Sequence, residues 1–461
     1  MRVTAAFSKL LRLDGVWVRS VKFEPGRVRV GVALTRRRLV CPLCEFSTGA
    51  RKDTRSVDSV WRHLDLGTWR LEIHCRRRRL WCPEHGARTE GVPFARAGAE
   101  FTRDFECLAA WLATRADKGT VKRLLRIDWD TVGRIVKRVC DDELDPARLE
   151  DLFDIGIDEV SWRKAHRYLT LVVDHQRKRV VWGTNGSGEQ AGDRFFAELD
   201  PELATDPLEP EPPGPTRDPG RTARAGGPDP DPNDAEHPVG ERAAKLRAIS
   251  MDMGPGYAKS ARNHAPQAVI CIDPYHVVQL ANTALDEVRR AYWNHLREIG
   301  DEQAAKRFKD ARWALLKNPK NLTDTQAVTY RKLRNAGGEV WLAYTLKEAL
   351  RGIFASDLTL EDVTVLIDRF LSRAARSRLE PFIRLGKTIR KHRDGILAAI
   401  RLKINQGRTE ALNNKVRLII RRAYGFHSPQ AALALVLLTC GPITLQPPHE
   451  LHNPTHPSLR T

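Results

Sequence analysis

The sequence predicts a mixed α/β protein built in several parts, and three observations carry that reading. Between residues 154 and 273, strand-like apolar runs alternate with amphipathic helical patterns, the signature of a layered core of sheet and helix. Residues 276–400 are helical almost throughout. Residues 1–95 combine period-two alternation with a cluster of cysteines, and a pair of short helical patterns follows them. At 461 residues the chain exceeds one ordinary domain, and a hydrophobic share of 41% is enough for real cores.

From the N-terminus, residues 1–40 read as short strands because VWVRSVKFEPGRVRVGVAL alternates apolar and basic positions. Residues 41–95 hold the cysteines and a basic strand, HCRRRRLWC. From Glu100 the period becomes helical in FTRDFECLAAWLATRAD, TVKRLLRI and DWDTVGRIVKRVCDDEL. Next, DIGIDEVSWRKAHRYLTLVVDHQRKRVVWGTNG reads as a three-stranded meander, followed by a helix, EQAGDRFFAEL. Residues 201–240 contain eleven prolines among many Asp, Glu and Gly, too little apolar surface to fold. Order resumes with the strand AISMDM, the helix GPGYAKSARNHAP and the strand QAVICID. After the helical block come GRTEALNNKVRLIIRRAYGF and the apolar QAALALVLLTC.

The partition that follows is a β module at 1–95 and a helix-turn-helix domain at 96–148. The sheet core occupies 149–200 and 244–281, interrupted by a disordered Pro-rich insertion at 201–243. A helical insertion spans 282–400, the core closes with an acidic helix within 401–442, and 443–461 form a flexible tail. Three strands, helix, strand, helix, strand, long helical block and helix is the order of a ribonuclease H-like fold interrupted before its last acidic helix.

The formal charge of +19 calls for a polyanionic partner, most simply nucleic acid. No run approaches eighteen apolar residues, and the N-terminus lacks a secretory signal, so a cytoplasmic protein without membrane spans is expected. CPLC at 41–44 and CPEH at 82–85 form a CxxC…CxxH pattern. Each short gap lets two side chains reach one ion, so Cys41, Cys44, Cys82 and His85 are the candidate ligands of a structural Zn²⁺. Cys75 and His74, in the basic strand, are the alternates. Cys107, Cys140, Cys271 and Cys440 read as buried thiols.

Phosphodiester chemistry by two metals needs carboxylates from rigid, separate elements that hold the ions about 4 Å apart. Asp158 in the first core strand, Asp252 at the end of the fourth and Glu410 on the late helix meet that need. Asp154 shares parity with Asp158 but lies at the strand's entry, and Glu159 has the opposite parity. Asp273 is the rival of Asp252. The glycine-rich turn of MDMGPGYAK favours Asp252, because small residues there let a phosphate or metal approach. If Thr409 caps the last helix, Leu412, Val416, Ile419 and Ile420 form its apolar stripe. Glu410, Asn413, Asn414, Arg417 and Arg421 then share the other side. Asn414 and His276 are candidate neighbours of the site. Lys415, Arg417, Arg421 and Arg422 are candidate phosphate contacts.

In the helix pair, Asp128 or Asp130 is expected to cap the second helix, with Trp129, Thr131, Arg134 and Arg138 facing the major groove. The turn Leu125–Asp128 lacks the usual glycine. Arg76, Arg77, Arg78 and Arg79 are expected on phosphates, supplying affinity rather than sequence reading. Trp293, Trp313 and Trp341 read as core residues of the helical block.

The motifs IGIDEVSWRKAHRYLTLVVD, SMDMGPGYAKSARNHAPQA, IDPYHVVQLANTALDEVRR and GRTEALNNKVRLIIRRAYGF make the chain, from about Cys41 to about Cys440, resemble the DDE transposases of the ISL3 insertion-sequence group. The resemblance implies Asp158, Asp252 and Glu410 as the catalytic triad holding two Mg²⁺ or Mn²⁺ ions in a ribonuclease H-like core. It also implies cleavage of double-stranded DNA at transposon ends, joining of 3′-hydroxyls to target DNA, and a homo-oligomer, a dimer, on paired ends. A zinc knuckle ahead of the helix-turn-helix is usual in that group, with cysteine where His85 stands here. The other functions considered are a transposase-derived DNA-binding regulator without catalysis and a ribonuclease H-like nuclease or resolvase.

Overall fold

The computed structural model describes residues 2–163, 167–203, 239–355, 358–404, 407–423, 425–426 and 428–451. It does not describe the side chains of residues 307, 309, 310, 407–411 and 451. The chain divides into two compact units, Met1–Asp145 with Leu418–Thr461, and Pro146–Arg417.

The first unit opens with α1 (Val3–Leu11), where strand was expected. Phe7 and Leu11, four residues apart, give the helix its buried edge against the sheet that follows. Alternation then produces β1 (Val16–Glu24) and β2 (Arg27–Leu34), whose tight turn places Gly26 at φ +75°. Short strands β3 (Leu39–Val40), β4 (Ser47–Thr48) and β5 (Asp53–Thr54) precede β6 (Ser59–Leu66) and β7 (Trp69–Cys75). One sheet has the order β1-β2-β7-β6. β8 (Arg78–Cys82) pairs with β5 on one side and β9 (Gly86–Thr89) on the other in a second sheet, and β3 pairs with β4.

Helices α2 (Arg103–Ala113), α3 (Lys118–Leu125) and α4 (Trp129–Glu143) follow. Thr102 and Asp117 cap the first two by accepting from the amides of Phe105 and Thr120. Asp128 stands at the cap position of α4 but its side chain makes no capping bond, and Asp130 lies in the first turn. The glycine missing from the turn is replaced by Arg126, at φ 54° and ψ 47°. A left-handed non-glycine residue costs about 1–2 kcal/mol. Arg126 offsets part of that cost by bonding the Asp65 carboxylate and the Thr68 carbonyl, while Arg62 holds the Arg126 carbonyl.

The second unit is built on β10 (Asp154–Arg163), β11 (Arg167–Asp174) and β12 (Arg179–Asn185), the expected meander, then α5 (Glu189–Leu199). Of the expected disordered insertion at 201–243, residues 204–238 lie outside the described residues. Its edges are ordered: Pro201–Leu203 form a 3-10 turn and Glu241–Ala244 a helical turn, α6. The Asp200 carboxylate accepts from the amides of Arg242 and Ala243 and so clamps the two edges together. β13 (Ala248–Met251), α7 (Pro255–His264) and β14 (Val269–Ile272) complete a five-stranded sheet of order β12-β11-β10-β13-β14. β10, β11 and β12 pair antiparallel, while β13 is parallel to β10 and β14 to β13.

Strand parity sorts this sheet into two faces. Ile155, Ile157, Ile249 and Met251 join Phe195, Phe196 and Tyr257 in the core under α5 and α7. Each fully buried aromatic or large aliphatic side chain there contributes about 1.5–3 kcal/mol. The opposite face, with Ala248 and Cys271, is covered by Ala398 and Ala399. After β14 comes the expected helical block: α8 (Pro274–Glu298), α9 (Glu302–Asp310), α10 (Arg312–Leu316), α11 (Asp324–Ala336), α12 (Gly338–Ala355), α13 (Leu360–Arg376), α14 (Glu380–Lys391) and α15 (Arg393–Arg401). Ala398 and Ala399 belong to α15, so the last helix of the block packs on the sheet itself. Trp341 stacks on Tyr344 as a core residue should, and Trp293 is half-buried under Arg297. Trp313 departs from expectation: it is 53% exposed, because Ala314 and Leu315 take the inward positions of the short α10.

The chain ends with α16 (Gly407–Arg422), α17 (Pro429–Cys440) and α18 (Pro448–Leu451). Part of the expected flexible tail is therefore helical, and α18 rests on α2. Residues 452–461 lie outside the described residues. Among the described residues no helix is long and apolar enough to cross a membrane.

Candidate functional site

Register brings the strand-borne acids together. β10 and β13 run parallel with Gly156 opposite Ser250. Continuing that ladder by two residues sets Asp158 beside Asp252, with the same parity. β13 and β14 pair Met251 with Ile272, so one further residue sets Asp252 beside Asp273. Asp252 and Asp273 thus follow the carboxyl ends of β13 and β14, with Asp158 beside them in the middle of the longer β10, at the edge where open α/β sheets place their chemistry. Parity also separates Asp158 from Glu159. Asp158 faces the side covered by α15, and Glu159 interacts with the Tyr257 hydroxyl on the other side.

Asp158 is half-buried and doubly held. Its Oδ1 accepts the Glu159 amide at 2.7 Å, and its Oδ2 accepts from Asn413 Nδ2. Burial pushes its pKa above the usual carboxylate range. The Asp252 charge adds to that push, whereas the Glu159 amide, His276 and Asn413 oppose it. Asp252 Oδ1 accepts the Gly254 amide at 2.8 Å. The glycines of this turn are needed for packing. A Cβ on Gly254 would lie 2.8 Å from the Asp252 carboxylate, and one on Gly256 2.6 Å from the Glu189 amide nitrogen at the start of α5.

Asp273 is spent differently. It is 4% exposed, caps α8 by accepting the Tyr275 amide at 2.9 Å, and lies 3.7 Å from His276 Nε2. His276 is therefore a neighbour of Asp273, and it also acts electrostatically on Asp158. Asp154, at the strand entry, pairs with Arg247 at 2.5 Å and takes no part.

α16 begins at Gly407, two residues before the cap expected at Thr409. Glu410 falls in its first turn, and its side chain lies outside the described residues. Val416 and Ile419 of the expected stripe are buried. The amide that reaches Asp158 is Asn413, 6% exposed, not the expected Asn414. Asn414 is exposed and accepts from Arg417 at 3.4 Å; one residue is a rotation of about 100° on a helix. Lys415, Arg417 and Arg421 are exposed as phosphate contacts must be. Arg422 is not available in the same way, since its guanidinium donates to the Thr114 carbonyl at 2.5 Å.

The cysteine spacing closes on one point. Cys41, Cys44, Cys82 and His85 bring their ligand atoms within 4.8 Å of one another, the one such group of three or more donors among the described residues. Cys44 Sγ and Cys82 Sγ are 3.6 Å apart, far beyond a disulfide, and His85 Nδ1 lies 3.6 Å from Cys82 Sγ and 3.9 Å from Cys41 Sγ. Burial opposes ionisation of Cys82, but the amides of His85 and Glu84 and the His85 ring bring its thiol down to about 6. The Phe46 amide lowers the Cys44 thiol, but burial and its hydrogen bonds with Cys82 and Cys41 outweigh that and push it up to about 11. The alternates are excluded by their surroundings: Cys75 packs in the apolar core of the first sheet, and His74 bonds Glu72 and Arg29. Cys140, Cys271 and Cys440 are buried, and Cys107 is half-buried against Arg96.

The helix-turn-helix presents a different face from the expected one. Thr131 is buried, and Arg138 bonds the fully buried Glu106 of α2, which also pairs with Arg96. Trp129 is half-buried beneath Lys118 Nζ, 4.0 Å from its ring. Of the four expected readers only Arg134 is exposed, in company with Asp130 and Lys137. A buried acid on the preceding helix, invisible in the pattern of α4 alone, turns that face inward. The arginine run is similarly occupied. Arg76 pairs with Asp58, Arg78 with the buried Glu90 and Arg79 with Asp53. Arg77 has no ion pair among the described residues and lies over Trp61 at 4.9 Å.

Comparison with known proteins places these features. A family model described as a transposase, of the ISL3 type, matches residues 155–208 and 235–435. The helix-turn-helix domain of transposase family ISL3 matches residues 90–140. The chain is 35% identical over 399 residues to the transposase for insertion sequence element IS1557 of two Mycobacterium tuberculosis strains, covering 82% of this chain and 81% of the relative. It is 27% identical over 415 residues to the transposase for IS1001 of Bordetella parapertussis, covering 88% and 90%. With a sheet that gathers acids and a three-helix domain in the matched regions, this chain belongs to the ISL3 family of DDE transposases.

Proposed function

We propose that this chain is the transposase of a bacterial insertion sequence. It binds the terminal inverted repeats of its element and catalyses metal-dependent strand cleavage and strand transfer on double-stranded DNA, acting in the cytoplasm. The observation that carries the reading is the register that lines up Asp158 with Asp252, with Asn413 tying Asp158 to the helix that bears Glu410. The strand order and directions support a ribonuclease H-like core, with α8–α14 as the helical insertion.

Asp158, Asp252 and Glu410 would hold two Mg²⁺ or Mn²⁺ ions. The donor set fits: two half-buried carboxylates repel each other, and a divalent cation relieves that repulsion. Bound there, the ions would activate the attacking water or 3′-hydroxyl and stabilise the leaving oxygen. Asn413 and the Glu159 amide fix the Asp158 carboxylate, and Asp273 and His276 support that edge. Exposed Lys415, Arg417 and Arg421 on α16 would lie on DNA phosphates.

Zn²⁺ is the ion proposed for the cysteine–histidine cluster. A tetrahedron with bonds of about 2.3 Å has edges of about 3.8 Å, the scale of the separations found. A dimer on paired ends is the proposed assembly, checked by the mass of the protein–DNA complex. The test of the function is incubation of the full chain with Mg²⁺ and duplexes carrying the element's ends. Nicked ends and joined products are expected, and binding without any strand breakage would leave a DNA-binding regulator instead.

A further inference from the structure

The N-terminal unit carries a cleft of about 690 Å³ bordered by the cysteine knuckle, β6 and the segment leading into α2. Five arginines line it. Arg96 and Arg103 are neutralised by Asp142, with Glu106 and Glu143 also on Arg96. Arg36, Arg55 and Arg77 make no ion pair among the described residues. Of the lining carboxylates, Asp58 is held by Arg76 and Glu100 is exposed.

The three arginines converge. Arg77 Nε and Arg55 Nη1 both donate to the Ser59 hydroxyl, at 2.8 and 3.3 Å. Arg77 also takes the Glu90 carbonyl and Arg36 the next one, Gly91. Two like charges sharing one neutral oxygen repel each other in a partly desolvated place. Burial lowers the pKa of Arg77, and the charge of Arg55 lowers it further; burial also lowers that of Arg36, and the Glu90 carboxylate opposes the shift in both without reversing it. Arg36 Nε is buried with no hydrogen-bond partner among the described residues. Ser59 accepts two bonds and still has its own hydrogen to donate. Trp61 holds the plane of the Arg77 guanidinium from below. Asp58 and Glu90, the acids beside them, are held by Arg76 and Arg78, and forked donors left in this way match a tetrahedral oxyanion.

We propose that this cleft, through Arg36, Arg55, Arg77 and Ser59, binds a backbone phosphodiester of the duplex that the helix-turn-helix engages. The inference rests on the DNA-binding function proposed above and adds a discrete phosphate site to it. The cleft fixes register and contributes affinity that does not depend on base sequence.

The test is binding of the full-length protein, over a series of salt concentrations, to a duplex bearing the element's end and to an unrelated duplex. Arg77→Gln and Arg55→Gln should each weaken both duplexes by the same factor, about tenfold. Each should lower the slope of log affinity against log salt by about 0.9. Arg77→Lys keeps the charge and should restore the slope, which a role in packing on Trp61 would not do. Arg55 is exposed, so its variant reads the site without disturbing the fold. Wild-type slopes in both glutamine variants overturn the proposal, as does weakening confined to the end-bearing duplex. Inorganic phosphate that raises the melting temperature of wild type but not of Arg77→Gln, with unchanged DNA slopes, would assign the cleft to a small anion and also overturn it. Failure of the wild type to bind either duplex would instead overturn the DNA-binding function on which the proposal rests.

Discussion

Asn413→Ala isolates the contact between α16 and the first core strand. Asn413 Nδ2 donates to Asp158 Oδ2, and the asparagine is buried, so water cannot easily replace the lost donor. A hydrogen bond to a charged group contributes about 1.5–3 kcal/mol, equivalent to roughly 10- to 150-fold in a rate. The Glu159 amide still holds Asp158 Oδ1 at 2.7 Å, which puts the effect at the lower end, about tenfold in the rate of end cleavage. Because the bond orients a carboxylate rather than touching DNA, affinity for the end-bearing duplex should stay at the wild-type level. The assay is single-turnover cleavage at saturating protein, with affinity measured separately. Asn414→Ala, altering an exposed side chain one position along, should cost several-fold less. Cleavage by Asn413→Ala at the wild-type rate, with binding intact, would refute the assignment of Asn413 as a positioning residue for Asp158.

Gly256→Ala places a Cβ 2.6 Å from the Glu189 nitrogen, where backbone must move. A loss of about 1–3 kcal/mol and a lower melting temperature are expected, and an unchanged melt would contradict the close packing of α7 on α5. Arg126→Ala keeps the left-handed turn but loses the bonds to Asp65 and Thr68, destabilising the N-terminal unit by about 1 kcal/mol or less given its exposure. Arg126→Gly recovers part of that loss because glycine adopts the turn without strain; equal melts for the two variants would show that the turn carries no strain. For the zinc proposed at Cys41, Cys44, Cys82 and His85, chelation or Cys44→Ser should release the ion and abolish DNA binding. Purified protein free of zinc yet fully able to bind would contradict this.

Local patterns were readable where the local chain decides the outcome. The meander, the helical block and the two cysteine knuckles follow from periodicity and spacing. Alternation placed Asp158 and Glu159 on opposite faces, as found. What stayed hidden depended on partners remote in sequence. Glu106 turns Arg138 inward, and Asp58, Glu90 and Asp53 neutralise three of the four arginines in the run. The choice of Asn413 over Asn414 is a matter of helix phase against a strand 255 residues away. Arg126 shows that a turn lacking glycine is still a turn when side-chain bonds hold it. The helix at Val3–Leu11 was missed because its Phe7–Leu11 spacing is too short a pattern to stand out beside the strands that follow.

The most direct test of the central claim is Mg²⁺-dependent cleavage of a duplex bearing the element's end by the wild type and by Asp158→Asn, Asp252→Asn, Glu410→Gln and Asp273→Asn. Cleavage should fall below detection in the first three variants with DNA binding retained, and persist at a reduced rate in Asp273→Asn, whose carboxylate caps α8. Full activity in Asp252→Asn together with loss in Asp273→Asn would contradict the account and move the second metal ligand to the next strand.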